Sequence, residues 1–128
     1  MIEQSKEFSD LHKAWIAISD IYLDTEIRTS DIKYIARQLA ETSFTEQQLN
    51  EIYYYDIAPV CYINGIDPAG EWVGFDRDWL FSEILKNRKK NQKLFRLKCK
   101  LLRRFYLMGT EEDWFKVLEK LRELQNKS

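Results

Sequence analysis

The sequence is poor in residues that interrupt helices and in residues that build reactive sites. Its 128 residues include four glycines, two prolines, two cysteines and one histidine. The shortage of glycine and proline leaves long stretches free to form helix. Two cysteines are too few for the disulfide framework of a small secreted domain, so Cys61 and Cys99 are interpreted as small buried hydrophobic residues. One histidine and two distant cysteines supply no standard zinc site, and we expect no metal or cofactor.

Motifs for the common enzymatic chemistries are also missing. The sequence has no glycine-rich phosphate loop and no Gly-x-Ser-x-Gly motif. A Cys–His pair of Cys99 with His12 is disfavoured because Cys99 lies among lysines in a regular helical pattern. One acidic cluster could serve paired acid–base chemistry: Asp67, Glu71, Asp76 and Asp78. Since 21 acids produce such a cluster readily by chance, we expect no enzyme, with a carboxylate-based activity as the open alternative.

Long apolar runs are absent as well. No stretch approaches the ~20 apolar residues that a transmembrane helix needs. The N-terminal segment carries acidic side chains where a signal peptide has a basic start and an apolar run. We therefore expect a cytoplasmic protein without membrane contact, folded as a single helical domain over residues 1–128.

Apolar residues recur at steps of three and four along most of the chain, which predicts helices. A second helix is expected after Ser30 as the N-cap, and a third from Thr45, which forms a capping box with Gln48. Pro59 should end or kink that helix at Ala58. The first helix spans about residues 4–23, and its apolar face is Phe8, Leu11, Trp15, Ile18 and Tyr22.

The segment 59–75 contains both prolines and three of the four glycines. Asn64-Gly65 and Pro68-Ala69-Gly70 are turn signals, so an ordered loop that could include one helical turn is expected, with a hairpin around Asn64-Gly65 as the alternative. Glycines flank Glu71 and Trp72 in this loop, and Trp72 suits either a plug between helices or a recognition surface. The sequence predicts an all-α fold, a compact bundle of five to six helices with one ordered Gly/Pro-containing loop at about 59–75.

The C-terminal half continues the helical pattern with one interruption. A helix is expected to open after Asp76. The polar run from residue 86 to residue 93 favours a break near 87–91, with a continuous helix that projects into solvent for two turns as the alternative. Gly109 should end the following helix, and Thr110 should cap the last one. Five apolar residues after the break are expected to face the core: Leu94, Leu97, Leu101, Phe105 and Met108.

Charge is divided sharply along the chain. Residues 1–83 contain 16 acids against 6 bases, a net of −10, and residues 111–128 contain five acids and four bases. The whole-chain net of −1 hides this division. Residues 84–110 contain no acid and ten bases: Lys86, Arg88, Lys89, Lys90, Lys93, Arg96, Lys98, Lys100, Arg103 and Arg104.

The basic segment has several interpretations. It could be a solvated face or pair with the acidic half, it could meet a complementary protein, or it could lie on a membrane surface. Binding of nucleic acid through phosphate contacts is disfavoured because the acidic half would repel a long polyanion. If nucleic acid binds, the contacts are expected at residues of the segment 86–104: Lys89, Lys90, Lys93 and Arg96.

Several short runs resemble a family of short, uncharacterised bacterial proteins. The runs are residues 12–20 (HKAWIAISD), 22–26 (YLDTE), 58–61 (APVC), 69–72 (AGEW) and 75–80 (FDRDWL), so the resemblance covers roughly residues 11–85. It carries over no functional residue, since no activity is established for that family. By type, small domains of this kind are similar to immunity proteins of bacterial toxin systems.

These observations favour a non-catalytic protein-binding module. Its most concrete form is a cytoplasmic immunity protein that blocks a cognate toxin, encoded nearby, by occluding its active site. The alternative is a nucleic-acid-binding regulator that uses residues 86–104. The residues expected to contact a protein partner are mostly acidic and would suit a basic toxin: Asp24, Glu26, Asp67, Glu71 and Trp72.

Overall fold

Every regular element in the described part of the chain is a helix, and the expected all-α class is confirmed. The computed structural model describes residues 2–22, 27–66, 77–107 and 109–126, with side chains described for 8–22, 27–62, 77–107 and 109–126. The α-helices, in chain order, are α1 Ile2–Ser19, α2 Thr29–Ala40, α3 Glu46–Glu51, α4 Ala58–Ile66, α5 Arg77–Arg88, α6 Gln92–Leu101, α7 Arg103–Leu107 and α8 Glu111–Asn126. A 3₁₀ turn, Asp20–Tyr22, follows α1.

A π-helical segment, Ile52–Ile57, joins α3 and α4 into one continuous rod. The expectation that Pro59 ends a helix at Ala58 is wrong, because Ala58 has helical dihedral angles of φ −56° and ψ −46°. Its N–H bonds to the carbonyl of Tyr53, five residues back. The wider π turn changes the hydrogen-bond register just before Pro59, which has no N–H of its own to add to that register.

The expected loop at 59–75 is therefore too long at its N-terminal end. Residues 59–66 are helical, and the turn signal Asn64-Gly65 lies inside α4, which also removes the hairpin alternative. Residues 67–75 lie outside the described residues, as does the turn signal Pro68-Ala69-Gly70. Five to six helices were expected, and the described ranges contain seven helical rods when α3, the π-helical segment and α4 are counted as one. The additional rod arises because a bend at Leu102 separates α6 from α7.

Local polar bonds set several helix ends. The capping box at α3 is confirmed: Thr45 Oγ1 accepts the N–H of Gln48 at 3.2 Å, and Gln48 Oε1 accepts the N–H of Thr45 at 2.8 Å. Ser30 is not the N-cap of α2 as expected. The helix begins two residues earlier, with Arg28 as N-cap, because the Asp31 carboxylate accepts the Arg28 N–H at 3.0 Å. Gly109 has φ +79°, as expected for the residue that follows a helix.

The helices pack around one cluster of buried apolar residues drawn from the whole chain. α8 lies along α2, and α2 lies against α1. The π-helical segment is central, since α1, α5 and α6 all contact it. The largest fully buried side chains of the core are Trp15, Trp114, Tyr53, Ile18, Ile21, Ile35, Leu39, Leu49, Ile57, Leu80, Ile84 and Val117.

The predicted apolar face of the first helix is buried as expected except at its start. Trp15 and Ile18 are fully buried, whereas Phe8 is 59% exposed. Phe8 makes one ring contact, an edge-to-face contact with His12 at 5.7 Å between centroids, among the described residues. His12 in turn stacks on Phe81 of α5 at 4.3 Å, so the single histidine packs at the edge of the core.

Buried polar groups satisfy one another between distant elements. The hydroxyls of Tyr22, Tyr53 and Thr110 form a hydrogen-bonded chain, and Thr110 also donates to the carbonyl of Leu107 at 2.6 Å. Trp114 Nε1 donates to Asn50 Oδ1 at 2.8 Å. These bonds tie the start of α8 to the 3₁₀ turn that follows α1 and to the central rod.

Both cysteines are buried free thiols, as the sequence indicated. Cys61 is 0% exposed and Cys99 is 5% exposed. Burial raises the pKa of both thiols, and for Cys99 the nearby Lys98 and Arg96 charges oppose that shift. Both residues therefore act as small core side chains.

Candidate protein-binding face

α5 and α6 meet at a corner formed by residues 89–91. Asn91 caps α6, since its Oδ1 accepts the N–H groups of Lys93 at 3.0 Å and Leu94 at 3.3 Å. Gln92 Nε2, which has two N–H groups to donate, lies 2.8–3.1 Å from three backbone carbonyls of the preceding turn. The break expected near 87–91 is confirmed, and these side chains explain it by supplying the bonds that both helix ends lack.

Two lines of apolar side chains run along α6 and α7, and only one of them is buried. Phe95, Cys99 and Tyr106 are 4–6% exposed and form the buried line. The other line, named here the apolar stripe, is 53–76% exposed and consists of Leu94, Leu97, Leu101 and Phe105. The expectation that these four residues face the core is wrong, and Met108 lies outside the described residues.

Contacts with residues beneath α6 and α7 determine which of the two lines is buried. Tyr106 packs against Tyr62 of α4 with ring centroids 4.7 Å apart, and its carbonyl accepts the Tyr22 hydroxyl at 2.7 Å. Phe95 and Tyr106 bury larger rings than the leucines would. A helix on the surface of a bundle buries one face only, so the apolar stripe remains toward solvent.

Basic side chains border the apolar stripe on both sides. Lys98 follows Leu94 by four residues and precedes Leu101 by three, which places it beside both on the helix surface. The same spacing places three cations along the opposite border: Lys93, Lys100 and Arg104. The result is named here the basic–apolar face, meaning the apolar stripe with these four cations.

Within the described residues, acidic side chains pair with few cations of the basic segment. Arg88 pairs with Asp56 at 2.5 Å, Lys86 with Glu83 at 3.4 Å, and Arg103 with Glu111 at 3.6 Å. Among the described residues, no ion pair reaches the other seven cations: Lys89, Lys90, Lys93, Arg96, Lys98, Lys100 and Arg104. The segment therefore keeps most of its positive charge for solvent or a partner.

The candidate nucleic-acid residues are exposed and lie close together in sequence, from the corner into the first two turns of α6: Lys89, Lys90, Lys93 and Arg96. Two of them rest on aromatic rings of the protein. The Arg96 guanidinium lies 4.4 Å from the centroid of the Tyr55 ring, and Lys90 Nζ lies 6.0 Å from that of Phe95. These contacts orient two of the four cations along the protein surface.

The five expected protein-binding residues, Asp24, Glu26, Asp67, Glu71 and Trp72, lie outside the described residues. Of the acidic cluster considered for catalysis, only Asp78 is described, as an exposed residue in the first turn of α5. Sequence reasoning missed the exposure of the apolar stripe. The sequence does show the competing line, since Phe95, Cys99, Leu102 and Tyr106 also repeat at helical spacing, but spacing alone does not tell which line is buried.

The described ranges hold neither a metal-binding cluster nor a membrane-spanning helix. No group of three or more His, Cys, Asp or Glu side chains there is arranged to hold a metal ion. In the same ranges, no helix combines the length and apolar character needed to cross a bilayer.

The profile of a family described as a domain of unknown function, DUF7079, matches residues 10–120. The resemblance to an uncharacterised family is thereby confirmed. The match reaches past residue 85, where the resemblance seen in the sequence ended, and includes the whole of α6 and α7. Comparisons with curated proteins and with solved structures gave no match.

Proposed function

We propose that this chain, which belongs to the DUF7079 family of domains of unknown function, is a non-catalytic protein-binding module. The basic–apolar face of α6 and α7 is its docking surface. The observation that carries the proposal is the exposure of all four residues of the apolar stripe on an otherwise charged pair of helices. Contiguous apolar patches rimmed by polar residues are typical of interaction sites on soluble proteins.

The apolar stripe supplies the driving force for association. Burying a leucine or phenylalanine side chain contributes roughly 1.5–3 kcal/mol when the whole side chain leaves water. The stripe residues are 53–76% exposed, so each has more than half of its surface left to bury. A partner that covers all four gains enough to offset much of the cost of association.

The bordering cations define the partner as an acidic protein surface. Lys93, Lys98, Lys100 and Arg104 have no ion pair in the described ranges and surround the stripe. A second copy docked stripe to stripe would bring these cations against their own counterparts, which is repulsive. An acidic surface with an apolar groove matches both the charge and the stripe.

The most concrete form of this function is a cytoplasmic immunity protein that occludes the active site of a bacterial toxin encoded nearby. The basic–apolar face suits a toxin whose active-site rim is acidic. The acidic candidates Asp24, Glu26, Asp67 and Glu71, which lie outside the described residues, remain a prediction for a basic toxin. An acidic partner would therefore point to the basic–apolar face, and a basic partner would point to the acidic candidates.

Affinity capture with matched variants tests the proposal. The wild type and the Leu97→Ser/Leu101→Ser variant are each expressed in the native host with neighbouring gene products, and retained proteins are identified by mass spectrometry. The control is Phe8→Ser/Phe115→Ser, because these rings are 59% and 53% exposed and belong to α1 and α8.

We expect an acidic partner that the wild type and the control retain and that the stripe variant loses. Purified partner should then bind the stripe variant at least about tenfold more weakly, as removal of interface anchors usually does. Recovery of no specific partner, or equal retention by the stripe variant, contradicts the proposal.

A nucleic-acid-binding regulator is the second candidate, because seven cations lack ion pairs in the described ranges. It makes a different prediction. Binding of DNA or RNA would fall steeply with salt and would weaken in a Lys89→Gln/Lys90→Gln/Arg96→Gln variant. Exposed leucines contribute nothing to phosphate contacts, so Leu97→Ser/Leu101→Ser would leave such binding intact. A flat titration at low salt eliminates this candidate.

A further inference from the structure

A second surface feature lies between the π-helical segment and the α6–α7 bend. It is a cavity of about 280 Å³. None of the four residues of the apolar stripe lines it, and of the basic–apolar face only Lys100 does. Its lining residues are Tyr54, Tyr55, Cys99, Lys100, Arg103, Tyr106 and Leu107.

Two backbone irregularities shape this cavity. Leu102 leaves α-helical geometry with φ −100° and ψ 15°, and the chain restarts as α7 at the next residue. Opposite this bend, the consecutive residues Tyr54 and Tyr55 of the π-helical segment both face α6 and α7, where each ring meets a guanidinium. π-helical turns are rare and are found frequently at functional sites.

The polar groups of the cavity are cationic. Lys100 and Arg103 both line it, and its lining set contains no acidic side chain. Arg103 Nη2 donates to the Tyr54 hydroxyl at 3.1 Å, and the guanidinium lies 4.9 Å from the centroid of the same ring. Glu111, which does not line the cavity, pairs with Arg103 at 3.6 Å. Lys100 has no acidic partner in the described ranges.

The geometry points to a binding site for a small aromatic molecule that carries one anionic group, a phosphate or a carboxylate. The anion would lie between Lys100 and Arg103, which offer charge-assisted hydrogen bonds. Because the Tyr54 hydroxyl accepts from Arg103, its own proton is available to donate to the same anion. The ring of the ligand would pack against the parts of Tyr55 and Tyr106 that line the cavity.

Phenyl phosphate is the probe for this site, and the full chain is observed by two-dimensional amide NMR. We expect saturable one-to-one binding with shifts at residues 54–55 and 99–107. Phenyl phosphate should bind at least about tenfold more tightly than inorganic phosphate or phenol, because each of these keeps only one of the two recognised groups. No saturable shift with phenyl phosphate, or equal binding of inorganic phosphate, overturns the inference.

Two lysine variants locate the anion. Lys100→Gln removes a cation that lines the cavity, and loss of a charged hydrogen bond should weaken phenyl phosphate binding roughly tenfold. Lys93→Gln is the matched control, an exposed lysine on the same helix that does not line the cavity. Both are surface changes that the fold tolerates. Equal weakening by both variants would show that general positive charge, rather than this cavity, binds the probe, and would overturn the assignment.

Discussion

The guanidinium of Arg88, the last residue of α5, forms a two-point ion pair with the carboxylate of Asp56 in the π-helical segment. Nε donates to Oδ1 at 3.1 Å and Nη2 donates to Oδ2 at 2.5 Å. Trp15 Nε1 donates to the same Oδ2 at 3.0 Å, and Arg88 lies 5.4 Å from the centroid of the Trp15 ring. One carboxylate thus joins α1, the central rod and the end of α5, immediately before the corner that leads into α6.

Asp56→Asn should destabilise the protein by about 1–3 kcal/mol, because it weakens a buried hydrogen-bonded ion pair whose arginine is partly exposed. The side chain of Asp56 is 8% exposed and that of Arg88 is 43% exposed. Glu41→Gln is the control, since its pair with Lys13 lies at the surface and should contribute less than about 1 kcal/mol. Urea denaturation measures both changes, and similar losses in the two variants would contradict this role for Asp56.

Truncation should lower the free energy of unfolding strongly on the buried line of α6 and hardly at all on the exposed line. Phe95→Ala, on the buried line, should cost about 3 kcal/mol or more because it opens a cavity under α6. Leu101→Ala, at a position 76% exposed, should change the free energy of unfolding by less than about 0.5 kcal/mol. Thermal or urea denaturation of the two variants checks this, and a large loss for Leu101→Ala would mean that the stripe is buried in solution.

Stability should fall at alkaline pH because buried acids are held protonated. Burial raises the pKa of the Tyr22 and Tyr53 hydroxyls above their ordinary 10.0 and that of the Cys61 thiol above 9.0. Below about pH 9 these groups are protonated in both states and the stability is fully present. At higher pH the unfolded chain loses protons that the folded chain retains, so the free energy of unfolding decreases.

Urea titrations between about pH 8 and pH 11 measure this decrease. Cys61→Ala should reduce the slope from about pH 9 upward, and Tyr22→Phe should reduce it above about pH 10. Thr110→Val is the control: it removes a hydrogen-bond partner of Tyr53 and lowers stability without removing a titrating group, so the slope remains. An unchanged slope in both Cys61→Ala and Tyr22→Phe would contradict the assignment.

The sequence predicted features that depend on neighbouring residues and missed those that depend on distant ones. Helical spacing gave the fold class, and Asn91 and its polar neighbours explain why the break between α5 and α6 was foreseeable. The same spacing could not decide which apolar line of α6 is buried, because both lines repeat at three and four residues. That choice depends on Tyr62 and Tyr22, which lie far along the chain from Tyr106.

The candidate site was predictable in its charge and not in its geometry. The ten bases of residues 84–110 are visible in the sequence, but their pairing is not. Only the structure pairs Arg88 with Asp56, 32 residues away, and leaves Lys98 and Lys100 without an acidic partner in the described ranges. The helical course through Pro59 was missed for a related reason, since the π-helical turn that accommodates it has no sequence signature in the rules used for helix ends.

Two hydroxyls near helix starts should differ in their contribution to stability. Thr45→Ala removes an acceptor for the Gln48 N–H and half of the capping box of α3, and it should cost about 1 kcal/mol. Ser30→Ala should cost less than about 0.5 kcal/mol, because Ser30 is an exposed residue inside the first turn of α2 and Arg28 is the N-cap. Urea denaturation of the two variants under one condition gives the comparison. A larger loss for Ser30→Ala than for Thr45→Ala would restore Ser30 as the cap and move the start of α2.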